Sequence, residues 1–273
     1  MEKHKALIMS ILNITPDSFF EKSRAFSFKS ALLRAQKLVE EGADILDIGG
    51  ESTRPGAIKV SEEEEIKRTI PLIKELKNLN ISISIDTYKP TVAKKALENG
   101  ASFINDISGF RSAEMIKIAK EFDVDICAMH MQNTPQTMQK NPFYPNGAVN
   151  EIYYWFEKTA EKLIKAGIKK EKIILDPGIG FGKSVQDNLD IINNIPKFKS
   201  LDLKLLFGIS RKSFMGKIVT KSCQDLLPAT LIINTIILRE GVDIIRVHDT
   251  KEHKDLIKIL DALKKTTFEK IKT

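Results

Sequence analysis

Eight apolar runs along this chain each end on, or enclose, a polar group, and that alternation leaves few architectures open. The runs are Ala6–Leu12 ending at Asn13, Ile45–Ile48 enclosing Asp47, Ile81–Ile85 ending at Asp86, and Phe103–Ile107 enclosing Asn105. They continue with Ile126–Met129 ending at His130, Ile173–Leu175 ending at Asp176, Leu205–Ile209 ending at Ser210-Arg211-Lys212, and Ile244–Val247 around Arg246 and His248. Helix-like stretches lie between them. Eight strands alternating with helices predict an α/β fold, a single (β/α)8 TIM barrel with its active site at the C-terminal ends of the strands. The polar endings then converge in space. Carboxylates, amides and cations facing one another point to chemistry on a polar, anionic small molecule.

The chain has 273 residues, which eight βα units of about thirty residues fill, so one domain is expected over 1–273. A polar C-terminal tail is expected to fray from about Lys264. At 42% hydrophobic the chain can bury a large core. A net charge of +7 would permit nucleic-acid binding, but lysines such as Lys67, Lys74 and Lys77 are scattered on helix faces. With no basic run interleaved with aromatics, no nucleic-acid partner is expected. Cys127 and Cys223 form no CxxC, which fits a reducing compartment. Ala6–Leu12 is too short to span a bilayer and no secretory pattern precedes it, so the expected location is cytoplasmic, with no membrane partner.

The helices carry their own punctuation. Ser61 with Glu64 makes a capping box, so Glu62–Glu65 read as a helix start rather than a metal site. Further helices are expected over Ser30–Glu41, Thr91–Glu98, Glu151–Ala166, Asn188–Ile195, Leu226–Arg239 and Lys251–Leu263. The longest irregular stretch is Met131–Val149, and loops of that length are usually functional or mobile. Strand parity directs side chains: Ile81, Ile83 and Ile85 should face helices, leaving Ser82, Ser84 and Asp86 inside the barrel. Arg246 and His248 share a face by the same rule.

Asp176-Pro177-Gly178-Ile179-Gly180-Phe181-Gly182-Lys183 fails the spacing of both the phosphate loop and the dinucleotide fingerprint. It reads instead as a flexible strand-to-helix loop carrying Asp176 inward and Phe181 over the pocket mouth. Ser210-Arg211-Lys212-Ser213 and Arg246-Val247-His248 follow the seventh and eighth strands, where barrels commonly bind phosphate. Three cations from adjacent loops favour an anion site over the alternative that Arg211 pairs with an acidic helix. Among the histidines, His4 and His253 read as surface residues, and no spacing suits zinc. A magnesium ion held through few protein oxygens and bridged to a pyrophosphate stays open. Gly49 and Gly50 let backbone approach a ligand, and Arg54 on the loop that follows would swing over a bound anion.

Taken in order, these segments resemble the dihydropteroate synthase family. The resemblance is carried by Asn13-Ile14-Thr15-Pro16-Asp17-Ser18-Phe19, by Asp47 to Gly56, by Ser84 to Tyr88 and by Ile104 to Gly109. Met129 to Gln132, Asp176 to Lys183, Ser210 to Ser213 and Arg246 to Asp249 complete it, so it covers about residues 5 to 263. It implies condensation of 6-hydroxymethyl-7,8-dihydropterin pyrophosphate with p-aminobenzoate, giving 7,8-dihydropteroate and pyrophosphate by an SN1-like route in folate biosynthesis. It also implies that Asp86, Asn105 and Asp176 hold the pterin, with Lys212 against its ring. Asn13, Arg246 and His248 would bind the pyrophosphate, Asn13 also serving as a ligand of Mg2+. Thr53 and Arg54 would close over the pyrophosphate, while Phe181, Pro55 and Ser213 would line the aminobenzoate slot. Lys212, Asp86 and Arg246 would carry the chemistry, and a homodimer is implied. The family usually continues Ser-Asp-Gly-Gly where this chain has Phe20-Glu21-Lys22-Ser23, which implies a stiffer, bulkier loop; Glu21 either keeps the Asp charge on a longer arm or is a solvated loop residue pairing with Lys22 or Arg24. Two rivals share parts of the pattern. A methyltetrahydrofolate-dependent methyltransferase barrel would not need the cations after strands seven and eight. A non-catalytic pterin-binding subunit would not need a pyrophosphate site.

Overall fold

The computed structural model describes residues 6–14, 24–52, 59–134 and 137–270. Eight parallel strands close into a barrel in chain order, with the last returning to the first. They are β1 (Leu7–Asn13), β2 (Ile45–Gly49), β3 (Ser82–Asp86), β4 (Phe103–Asp106), β5 (Asp125–Met129), β6 (Ile173–Asp176), β7 (Lys204–Phe207) and β8 (Ile244–Val247). The helices among the described residues are α1 (Arg24–Glu40), α2 (Glu62–Leu76), α3 (Pro90–Glu98), α4 (Ala113–Phe122) and α5 (Ala148–Lys165). They continue with α6 (Val185–Asn193), α7 (Ile195–Lys199), α8 (Ser213–Val219), α9 (Leu227–Arg239) and α10 (Thr250–Lys270). None is long and apolar enough to cross a membrane.

Each strand ending expected from the sequence falls at the C-terminal rim, but the helices differ in detail. The helix expected over Asn188–Ile195 is broken at Asn194, and Pro196 opens the short α7, where its fixed φ suits a first turn. An additional helix, α8, follows β7 before α9 begins. The backbone of α10 runs on to Lys270 instead of ending near Leu263.

Alternation sorts the strand side chains as parity requires. Ile83 and Ile85 join Leu46, Ile48, Ile104 and Ile126 in the main core outside the barrel wall. Ser84 and Asp86 turn inward, and Ser84 Oγ donates to Asp47 Oδ1 at 2.6 Å. Ser82 lies lower, 2.9 Å from Ser102 Oγ. The barrel interior below the polar layer is apolar: Met9, Ile45, Phe103, Cys127, Ile174, Leu206 and Ile244 form one buried cluster. That plug gives the polar rim a rigid floor.

Glu62–Glu65 open α2 as expected, and the Ser61 hydroxyl accepts the N–H of Glu64 at 3.2 Å, but Glu65 turns inward. It is 1% exposed and meets Lys89 Nζ at 2.6 Å, and the same ammonium reaches Glu51 Oε2 at 2.5 Å and the Val60 carbonyl at 2.6 Å. Lys89 therefore ties together chain on both sides of residues 53–58. His253, expected at the surface, is fully buried. Its ring lies 2.7 Å from Asn234 Nδ2 and 2.6 Å from the Asp249 carbonyl, and burial lowers its pKa, so it is a neutral core histidine. His4 lies outside the described residues.

Candidate active site

Asp47 organises the rim. Fully buried at the centre of β2, it accepts from Ser84 at Oδ1. Its Oδ2 accepts from Asn105 Nδ2 at 3.1 Å and from Arg246 Nε at 2.6 Å. Arg246 then donates from Nη2 to Asp86 Oδ2 at 2.7 Å. Strands β2, β3, β4 and β8 are thus joined by one charge-assisted network. Asp86 Oδ1 is buried with no hydrogen-bond partner among the described residues. Asn13, at the end of β1, borders the same group: a Cβ on Gly49 would lie 3.4 Å from Asn13 Oδ1 and 3.5 Å from Asp86 Oδ2.

The second wall is β6 and its loop. Asp176 is 5% exposed, and its Oδ1 accepts the N–H of Gly178 at 2.7 Å. The loop expected to be flexible is pinned at several points. Gly180 N–H donates to Asn188 Oδ1 at 2.7 Å, the Tyr144 hydroxyl donates to the Gly182 carbonyl at 2.8 Å, and the Gln139 amide reaches the Gly180 carbonyl. Two of those contacts come from the long 131–149 stretch, which therefore braces the site. Gly178 has a φ of +66°, and a Cβ there would sit 2.0 Å from the His130 carbonyl oxygen. Gly178→Ala should therefore destabilise the fold by about 2–3 kcal/mol, measured by urea denaturation. Stability equal to the parent would mean that the loop relaxes without cost.

Lys212 and Phe181 meet across the mouth, the ammonium lying 4.1 Å from the ring centroid. Phe181 is half-buried over a patch made by Ile107, Met129, Met131 and Met138. Ser213 is exposed at the first turn of α8. The N–H of His248 donates to Ser210 Oγ at 3.3 Å, and that hydroxyl lies 3.1 Å from Nδ1. Arg211 does not join the cations. It grips Asp249 with Nε and Nη2 at 2.9 and 2.7 Å and donates from Nη1 to the Gln224 carbonyl at 2.7 Å. The expected set of three cations is corrected: Asp249 pairs with Arg211, and Asp47 and Asp86 pair with Arg246, so of the three only Lys212 has no ion pair among the described residues. Thr53, Arg54, Pro55, Thr15–Phe19 and Glu21 lie outside the described residues.

Burial dominates the electrostatics. Burial, opposed by Arg246 and aided by Asp47, raises Asp86 to about 7. Burial likewise raises Asp176 to about 6, against the Gly178 N–H and the charges of Lys212, Lys183 and Arg246. Burial lowers Lys212 to about 8 and Lys183 to about 7. Two carboxylates poised near neutrality therefore face two cations whose charge is destabilised. A flat heterocycle presenting N–H donors would satisfy the carboxylates. No group of three or more His, Cys, Asp or Glu side chains among the described residues could hold a metal. Asn13 supplies one amide oxygen at the rim.

The sequence pointed to Asn13, Asp86, Asn105, Asp176, Phe181, Lys212, Ser213, Arg246 and His248, and each occupies the C-terminal rim or the loops above it. It did not single out Lys183 or the linking role of Asp47. For Asp47 a signal was present: one carboxylate in a strand where every residue is buried needs partners.

Residues 9–248 match the model of the pterin binding enzyme family. The chain is similar to the dihydropteroate synthase of Haemophilus influenzae, 40% identical over 256 residues that cover 93% of each chain. It is also similar in structure to a Burkholderia cenocepacia dihydropteroate synthase complexed with 7,8-dihydropteroate. There the TM-score is 0.88 at 39% identity, covering 97% of this chain and 93% of that one. A Xanthomonas albilineans dihydropteroate synthase with 4-aminobenzoic acid gives a TM-score of 0.89 at 32% identity, covering 95% and 93%.

Proposed function

The chain belongs to the dihydropteroate synthase family of pterin-binding enzymes, which are transferases, and on that premise we propose a role for each rim residue in condensing 6-hydroxymethyl-7,8-dihydropterin pyrophosphate with p-aminobenzoate. The observation that carries the assignment is Asp86, a buried carboxylate at a strand end with one oxygen held by Arg246 and the other without a partner among the described residues. Such an oxygen is an acceptor waiting for a ligand N–H. Asp86, Asn105 and Asp176 take the donor-rich edge of the pterin, and Lys212 lies against its ring. Phe181, Ser213 and Pro55 line the aminobenzoate slot. Thr53, Arg54, Arg246 and His248 take the pyrophosphate.

The bond from the pterin methylene carbon to the pyrophosphate oxygen breaks, and its electron pair leaves with the pyrophosphate. The positive charge that develops on the pterin is stabilised by Asp86 and Asp176, fixed in a dry wall where their charge acts strongly. The aminobenzoate nitrogen then forms the new C–N bond and gives up a proton. No side-chain nucleophile takes part. Asn13 Oδ1 fits a magnesium ion, a hard cation that accepts one protein oxygen when water and phosphate supply the rest. Bound there, the ion would offset negative charge on the leaving group.

The methyltransferase barrel and the non-catalytic subunit are not favoured, because the full-length relatives at this level of identity are synthases. We also propose a homodimer. The adjacent helices α9 and α10 expose Ile232 and Ile236, and Ile259 and Leu263, each pair at i, i+4 spacing, which supports an apolar self-contact.

Purified protein with both substrates and Mg2+ should release pyrophosphate and form 7,8-dihydropteroate. The rate should fall as the pH drops through about 7 and then about 6, where Asp86 and Asp176 take up protons and lose the charge that holds the pterin cation. A folded sample with no product at high enzyme concentration would refute the reading.

A further inference from the structure

Lys183 closes the loop after β6, yet it points away from solvent. It is 4% exposed, and its ammonium donates to the Phe181 carbonyl at 3.0 Å and lies 3.2 Å from His130 Nδ1 and 3.5 Å from the His130 carbonyl. All three contacts are neutral acceptors, since burial followed by Lys183 itself lowers the His130 ring to about 2. The ring is held in place by Trp155, which meets it edge-on at 5.2 Å and 81°. His130 also links this lysine to the pterin wall, because its N–H donates to the Asp176 carbonyl at 2.8 Å. A charge buried on neutral acceptors costs stability unless something nearby benefits from it. A group that benefits is the Asp176 carboxylate, on which Lys183 acts together with Lys212 and Arg246. Toward Lys183 itself face Asp176, Lys212 and, from α6, Asp187.

We propose that Lys183 is a positioning residue for the reaction assigned above: held between the Phe181 carbonyl and the fixed His130 ring, its ammonium keeps the Asp176 carboxylate charged and aimed at the pterin. This rests on the functional reading of the site, and it adds a group that touches neither substrate. The sign follows from the neighbours. Removing one of three cations lets burial dominate further at Asp176, so its proton should be lost only at higher pH.

The test is calorimetric binding of 6-hydroxymethyl-7,8-dihydropterin pyrophosphate across the acid range, for the parent, Lys183→Met and Lys183→Gln. The lower of the two acid steps, from Asp176, should move up by up to about one pH unit in both variants. Gln keeps a donor for the Phe181 carbonyl but carries no charge, so a merely bracing role would leave its binding profile like the parent's. An unmoved lower step in a folded Lys183→Gln protein overturns the proposal. If Lys183→Met melts too low to assay, Lys183→Gln decides alone. Failure of the parent protein itself to bind the pterin pyrophosphate would instead overturn the functional reading, and with it this role.

Discussion

Asp176→Asn is expected to lower kcat/KM for dihydropteroate formation by about 10³-fold or more while leaving the melting temperature unchanged or slightly raised. The two effects separate because the fold and the ligand use different properties of this carboxylate. The fold uses one acceptor, Oδ1, for the Gly178 N–H at 2.7 Å, and an asparagine oxygen can accept the same bond. The ligand needs the other oxygen as an acceptor, and an amide presents a donor there, facing the donor-rich edge of the pterin. The counter-charge to the developing cation is also lost. The stability sign follows from linkage. A carboxyl raised to about 6 in the folded protein favours folding in its neutral form, so above the ordinary carboxylate range its ionisation works against the fold. A neutral amide removes that opposition at neutral pH. Thermal melts and steady-state kinetics on one sample decide the matter. A large drop in melting temperature, or turnover near the parent's, would show that Asp176 serves the fold instead.

The barrel was legible because its signal is repeated eight times and each repeat ends in the same way, so errors of a few residues at any one boundary do not disturb the topology. The rim residues were legible for the same reason: Asp86 and Asp176 fall where an apolar run stops, and Arg246 interrupts one. What escaped was set by contacts far apart in the chain. Glu65 stands in a run of glutamates that looks like a helix start, and only the arrival of Lys89 from β3's loop draws it inward. His253 lies on a polar helix, and its burial depends on Asn234 across the α9–α10 contact. Lys183 carries no signal beyond closing the Asp176–Lys183 segment, and its buried partner His130 is brought beside it from just past the end of β5. Arg211 is the reverse case. Its anion-binding promise was local, and Asp249, which cancels it, sits just past the end of β8.

Arg246→Met is expected to destabilise the folded protein by about 3–5 kcal/mol and to lower kcat by about 10²-fold or more. Arg246 donates to Asp47 at 2.6 Å and to Asp86 at 2.7 Å, and both carboxylates are buried. Without the guanidinium, two buried carboxylates remain at the rim with no cation joining them. The deficit should depend on pH in a defined direction. Arg246 is the main group opposing the upward shift of Asp86, so its loss raises that carboxyl further. Folding then favours the protonated acid, and stability should recover as the pH falls below the new folded value toward the ordinary carboxylate range. The measurement is urea denaturation at neutral and mildly acid pH, with Asp47→Asn/Arg246→Met as a third protein. Removing the Asp47 charge relieves the unpaired state while Asn still accepts from Ser84, so the double variant should regain part of the lost stability. It should regain no activity, because the cation proposed to face the pyrophosphate is still missing. A double variant no more stable than Arg246→Met, or a deficit that grows on acidification, would show that Arg246 supports the rim through packing alone and that the Asp47–Arg246–Asp86 network is not its electrostatic basis.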